Sequence, residues 1–238
     1  MIGGMETAMK LILLPCIAAL ALTGCSVLPQ GSGDSRDGGA SGTAPPSAAT
    51  TPPLSQRPID RQCLAGLGQA GVQFDRLPDR YLGEGCSNLN TVQMHALAGD
   101  NGRLEVRNLG PVTCAVSTAF AAWVRYGVDR AARQVFGSSL ASIQTMGSFN
   151  CRNVAGTSRR SAHASADAID VGGFVLADGR RISVADGWSG SRQEREFLRL
   201  VQRSACRRFD TVLSPDYNAA HRDHLHLEGV IEGNSYCR

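Results

Sequence analysis

Residues 161–184 read SAHASADAIDVGGFVLADGRRISV, and the second half of this stretch decides the fold. Ala168 to Leu176 and Arg181 to Val184 read as strands, and the Asp-Gly pair in Ala177-Asp178-Gly179-Arg180 favours a tight hairpin turn between them. Working outward, Ser142 to Phe149 reads as a further strand upstream. Downstream, Asp210 to Leu213 and His224 to Ile231 (HLHLEGVI) complete a small antiparallel sheet. Helices flank these pieces. Cys114 to Tyr126 (CAVSTAFAAWVRY) is alanine-rich with apolar residues recurring at three and four, which predicts a buried helix with Phe120 and Trp123 in the core. Ser191 to Arg208 is amphipathic: Ser191 is placed as N-cap, Glu194 completes a capping box, and Phe197, Leu198, Val201 and Ala205 share one face. Separated helices with a run of antiparallel strands predict an α+β fold, a small antiparallel sheet with packed helices.

Composition bounds the function. The 238 residues are 42% hydrophobic and 19% charged, which fits one globular domain with appendages and is too polar for a multi-span membrane protein. One lysine, Lys10, and 23 arginines stand against 21 acids, spread along the chain without a basic block, so nucleic acid is excluded as the expected partner. The apolar run after Lys10 has only 14 residues from Leu11 to Gly24, short of the roughly 20 that span a bilayer, and residues 1–24 read as a signal peptide. Met5 and Met9 stay open as alternative starts. Leu22-Thr23-Gly24-Cys25 resembles the bacterial lipobox, which implies lipidation of Cys25 and, with Ser26 next, a lipoprotein facing the periplasm on the outer membrane. Residues 25–56 are rich in Gly, Ser, Ala, Pro and Thr, a flexible linker with a reach on the order of 30 Å. Residues 57–238 then form the folded domain, and its oligomeric state is left open.

Six cysteines fall in that domain: Cys63, Cys86, Cys114, Cys151, Cys206 and Cys237. An even number with no CxxC pair in an exported chain points to three disulfides rather than a thiolate metal site. Sequential pairing is expected, Cys63 with Cys86, Cys114 with Cys151 and Cys206 with Cys237, because each closes a moderate loop and the last pins the C-terminal residues.

Four of the five histidines lie near a carboxylate in two short stretches. His163 and Asp170 are seven apart with small residues between, so the backbone can fold closely and bring imidazole and carboxylate to one ion. In Asp223-His224-Leu225-His226-Leu227-Glu228, period-two alternation puts both histidines on one strand face and the leucines in the core. Two neutral imidazoles and one carboxylate suit a catalytic zinc ion, one per chain, with a fourth position open to water. His95 is read as incidental, Asp167 as solvent-facing and Ser161 as a local cap.

His163-x6-Asp170 within SxHxxxxAxD, followed by an HxH, resembles the zinc peptidases whose fold is shared by lysostaphin-like enzymes, D-alanyl-D-alanine metallopeptidases and the hedgehog signalling domain. Cys151-Arg152-Asn153, Ser161-Ala162-His163, Ala168 to Phe174 and Tyr217 to His226 resemble more narrowly the bacterial extensin-like C-terminal domain family. His221, His224 and His226 are spaced as in penicillin-insensitive murein endopeptidases. The resemblance implies His163, Asp170 and His226 as metal ligands, His224 as general base and His221 as a second catalytic or positioning histidine. Where many relatives carry glycine this chain has Ala166, a departure that narrows the loop. The implied reaction is zinc-dependent hydrolysis of an amide in peptidoglycan stem peptides, His224 taking a proton from water and returning it to the leaving amine. Arg159 and Arg160 are placed to hold a substrate carboxylate or, equally, to form a solvated turn; Asp223 either orients a histidine or is a surface charge. The alternative is a lipoprotein that grips murein or holds zinc without turnover, and His224 separates the two, since only an enzyme requires it.

Overall fold

The computed structural model describes residues 57–238. The signal peptide, Cys25 and the linker predicted over residues 1–56 lie outside the described residues. The first half of the domain runs α1 (Pro58–Gln69), β1 (Val72–Arg76), β2 (Arg80–Gly83), β3 (Cys86–Asn88), β4 (Thr91–Ala98), β5 (Arg103–Arg107), β6 (Val112–Thr113), α2 (Cys114–Trp123), a π-helical turn (Val124–Asp129) and α3 (Arg130–Phe136). The second half continues with β7 (Leu140–Gly147), a 3-10 turn (Ala162–Ser165), β8 (Ala168–Leu176), β9 (Arg181–Ser183), α4 (Val184–Gly187), α5 (Arg192–Ala205), β10 (Thr211–Leu213), a second 3-10 turn (Ala219–His221), β11 (Leu225–Glu228) and β12 (Tyr236–Cys237).

The expected α+β class holds, but the sheet is not small. It has ten strands, in the order β1-β4-β5-β7-β8-β11-β10-β12 with β6 on β4 and β9 on β8, while β2 and β3 form a separate hairpin. Nor is it wholly antiparallel: β5 runs parallel to β7, and β10 to β12. The extra breadth comes from residues 72–113. There β4 (TVQMHALA) buries Val92, Met94 and Ala96 and turns Gln93 and the exposed His95 the other way, a half-buried strand that the sequence reading passed over. The helix from Cys114 also extends beyond Tyr126, because the π-helical turn carries it into α3. Gly127 in that turn is a packing requirement, since a Cβ there would fall on the Ser204 hydroxyl of α5.

The core lies between the sheet and the helices. Trp123 is fully buried, its indole N–H donates to the Val201 carbonyl of α5 at 3.1 Å, and it meets Phe174 and Phe209 edge-on at 6.5 and 6.2 Å. Phe174 of β8 is in turn perpendicular to Phe197 of α5 at 5.2 Å. These contacts fix α2 and α5 over the centre of the sheet. The capping box at Ser191 and Glu194 is present in full.

Three disulfides form, but two of the expected pairings are wrong. The bonds are Cys63–Cys114, Cys86–Cys151 and Cys206–Cys237, with Cα separations of 6.2, 5.6 and 5.8 Å. Loop length does not decide the first two; tertiary packing does. Helix α1 lies against α2, bringing Cys63 to Cys114, and β3 lies beside the 162–165 turn, bringing Cys86 to Cys151 in the segment that leads into it. Peptide mapping without reduction should recover Cys86–Cys151 and no Cys63–Cys86 peptide. Replacing both Cys86 and Cys151 with serine should cost about 2–5 kcal/mol in denaturant unfolding.

Among the described residues no helix is long and apolar enough to cross a membrane.

Candidate metal centre and active site

Strand register builds the centre. Asp170 of β8 is paired directly with His226 of β11, and Gly147 of β7 pairs Asp170 from the other side. Directly opposed residues on adjacent antiparallel strands project from the same face, so carboxylate and imidazole meet while Leu225 and Leu227 are buried on the other face. His163 arrives from the 3-10 turn just before β8. Ser161 caps that turn by accepting from the His163 N–H at 3.4 Å, and Ala166 ends it at φ +56°. This is the left-handed conformation that glycine adopts freely and that costs an L-residue about 1–2 kcal/mol, so the loop keeps its turn despite the alanine.

His163 Nε2, Asp170 and His226 Nδ1 converge on one point. His163 Nε2 lies 3.2 Å from Asp170 Oδ2 and 3.2 Å from His226 Nδ1, and His226 Nδ1 lies 2.9 Å from Asp170 Oδ1. The opposite nitrogens are occupied. His163 Nδ1–H donates to the Ser148 carbonyl at 2.7 Å, and Ser148 is itself held by its hydroxyl on the Pro111 carbonyl. His226 Nε2–H donates to Glu228 at 3.0 Å. These partners fix the tautomers, so each imidazole turns its remaining nitrogen toward Asp170 and toward the other. Two facing lone pairs beside a carboxylate repel one another unless a cation lies among them. Without a metal that cation is a proton: burial opposes charge on His226, but its bonds to Asp170 and Glu228 outweigh burial and raise it to about 9. Burial likewise opposes ionisation of Asp170, and the bonds to His163 and His226 overcome it, holding the carboxyl far below the usual carboxylate range. These three donors could therefore hold a metal ion.

The remaining histidines stand around this point. His224 is 12% exposed in its side chain, donates through Nδ1 to Asp223 Oδ1 at 2.9 Å, and turns Nε2 toward Asp170 Oδ1 at 3.6 Å. Asp223 is thus the partner that orients His224. His221 donates through Nδ1 to Asn218 Oδ1 at 2.7 Å, and Asn218 also accepts from the Ala220 N–H. Burial and the neighbouring His224 and His226 push His221 down to about 4, leaving it neutral at pH 7 with Nε2 free to accept. All three of His221, His224 and His226 line a cavity of about 490 Å³, with Arg152, Arg159, Asn218, Tyr217, Tyr236 and Glu228 among its walls.

Arg159 and Arg160 part company. Arg159 lines the cavity and lies near Glu228, whereas Arg160 donates to the Glu84 carbonyl at 2.6 Å and to Asn153 at 3.0 Å, bracing the β2–β3 turn. Asp167 is not solvent-facing: it is half-buried and accepts from the Thr113 hydroxyl at 2.9 Å, because the 162–165 turn folds back on the start of α2. His95 pairs with Asp75 across β1 and β4 on an exposed edge. Glu228 is the residue the sequence reading passed over. Its signal was available, since it shares the parity of His224 and His226 and so the same strand face.

Loading this centre with a metal must displace the proton on His226. Apparent zinc affinity, measured by chelator competition, should therefore rise about tenfold per pH unit from pH 6.5 up to about 9 and level off above it, with about one proton released per ion. A flat profile over that range would contradict the shared proton.

No curated protein and no solved structure matches the chain. The model of the Extensin-like protein C-terminus family matches residues 61–238, and the chain, with its paired strands carrying Asp170 and His226, belongs to that family.

Proposed function

We propose that this chain is a zinc-dependent peptidase that hydrolyses amide bonds in peptidoglycan stem peptides, with the fold of the lysostaphin-like and D-alanyl-D-alanine metallopeptidases. In this reading lipidated Cys25 holds it on the periplasmic face of the outer membrane. The observation that carries the proposal is the convergence of His163 Nε2, Asp170 and His226 Nδ1, with a carboxylate-backed His224 turned to the same point. Zinc, when held by these three residues, supplies a Lewis acid that polarises a carbonyl and acidifies water.

The chain's own groups do the rest. His224 accepts the proton of the attacking water at Nε2 and returns it to the leaving amine. Asp223 keeps Nδ1 protonated and stabilises the imidazolium that forms in between. Neutral His221 offers Nε2 as an acceptor for a substrate N–H, and Arg159 offers a guanidinium to a stem-peptide carboxylate.

The test uses the Cys25→Ser protein, which should leave the membrane fraction; retention with unchanged mobility would remove the anchor from the proposal. Purified, it should hold one zinc per chain and release new amines from isolated sacculi. Zinc without any change in the muropeptide profile would leave a murein-binding or zinc-holding lipoprotein as the function.

A further inference from the structure

Two tyrosines on the cavity wall have no part in holding a cation or moving a proton. Tyr217 precedes the 219–221 turn and Tyr236 lies in β12, with ring centroids 6.2 Å apart and planes at 90°. They remain 41% and 46% exposed in a domain whose other large rings mostly fill the core. Neither phenol oxygen has a hydrogen-bond partner among the described residues. Tyr217 sits 5.5 Å from His221, and the Arg238 guanidinium covers one face of Tyr236 at 5.0 Å. Tyr236 is held in place by the pairing of β12 with β10 and by the adjoining Cys206–Cys237 bond, so its ring is fixed rather than trailing.

The polar atoms beside these rings are unspent donors. The Arg152 guanidinium and the Asn218 amide nitrogen line the same cavity, and neither has a partner among the described residues. An aliphatic side chain docking here would cover the rings but strip water from all of these donors without replacing it. A sugar ring satisfies both requirements, because its axial C–H face lies on an aromatic face while its hydroxyl and acetamido oxygens accept from the rim. We propose that Tyr217 and Tyr236 form a saccharide platform, and that the preferred substrate is a stem peptide still attached to its N-acetylated sugar. The peptide half of this statement rests on the peptidase reading; the sugar half does not.

The test measures binding of three probes to the Cys25→Ser protein by calorimetry: a disaccharide-tetrapeptide, the same tetrapeptide without sugar, and the N-acetylated disaccharide alone. The sugar-linked peptide should bind about tenfold more tightly than the free peptide. Tyr236→Ala should erase that difference while leaving free-peptide affinity unchanged, and Tyr236→Phe should keep most of it. Tyr217→Ala serves as the independent second variant, since it is remote in sequence from the disulfide. In turnover the loss should fall on KM rather than kcat. Equal affinity for sugar-linked and free peptide, or a Tyr236→Ala variant that weakens both alike, overturns the platform. Tyrosine-dependent binding of the disaccharide by a protein that cleaves no peptide upholds the platform and removes the peptidase.

Discussion

His224→Ala is expected to retain zinc and to lose about 10²- to 10⁴-fold in peptide turnover. The imidazole stands outside the His163, Asp170 and His226 donor set and is tied to Asp223 on its far side, so its removal leaves the three donors and their supporting bonds intact. What disappears is the proton acceptor. Asp223→Asn should lower turnover in the same direction, because an amide in place of the carboxylate no longer enforces the Nδ1–H tautomer. Metal analysis alongside release of amines from sacculi separates the two effects. An His224→Ala protein with full metal and unchanged turnover would take the general-base role away from this residue.

Asp170→Ala is expected to do the opposite and abolish metal retention. Asp170 bonds both imidazoles and supplies the only negative charge within the donor set, and a three-ligand site has none to spare. Glu228→Gln should be milder, about 10- to 100-fold in metal affinity, since the amide keeps a hydrogen-bonding contact to His226 but loses the charge that raises the basicity of the ring. The ranking of the two, read by competition with a chelator of known affinity at one pH, is the decisive quantity. Equal losses would mean that Glu228 is itself a ligand; no loss for Asp170→Ala would dissolve the proposed centre.

The parts legible in the sequence were those with a local signal. The β8–β9 hairpin shows in the Asp-Gly turn, α5 in its capping box and apolar face, and Trp123 and Phe120 in helical spacing. The place of His226 and Glu228 on β11 follows from period-two alternation, whereas His224, expected on the same strand, lies just before it. What escaped is non-local. The β1–β4–β5 ribbon joins the rest of the sheet through the pairing of β5 with β7, strands separated in the chain by α2 and α3, so the breadth of the sheet has no local signal. The disulfide pairing failed for the same reason, since Cys63 meets Cys114 only after α1 has packed on α2. At the candidate site, sequence could nominate Arg159 and Arg160 together but could not separate two adjacent arginines. Only the β2–β3 turn, which engages Arg160 through Glu84, does that.

The pairing of Asp170 with His226 places the two halves of the centre on neighbouring strands that are 56 residues apart in the chain. A cation shared across β8 and β11 recognises only the closed sheet. By mass action, an ion present at about 100 times its dissociation constant adds about 2.7 kcal/mol to the folded state. If the proposed centre holds a metal, the supply of that ion around the protein would set the folded fraction as well as the chemistry, and a chain starved of it would unfold more often.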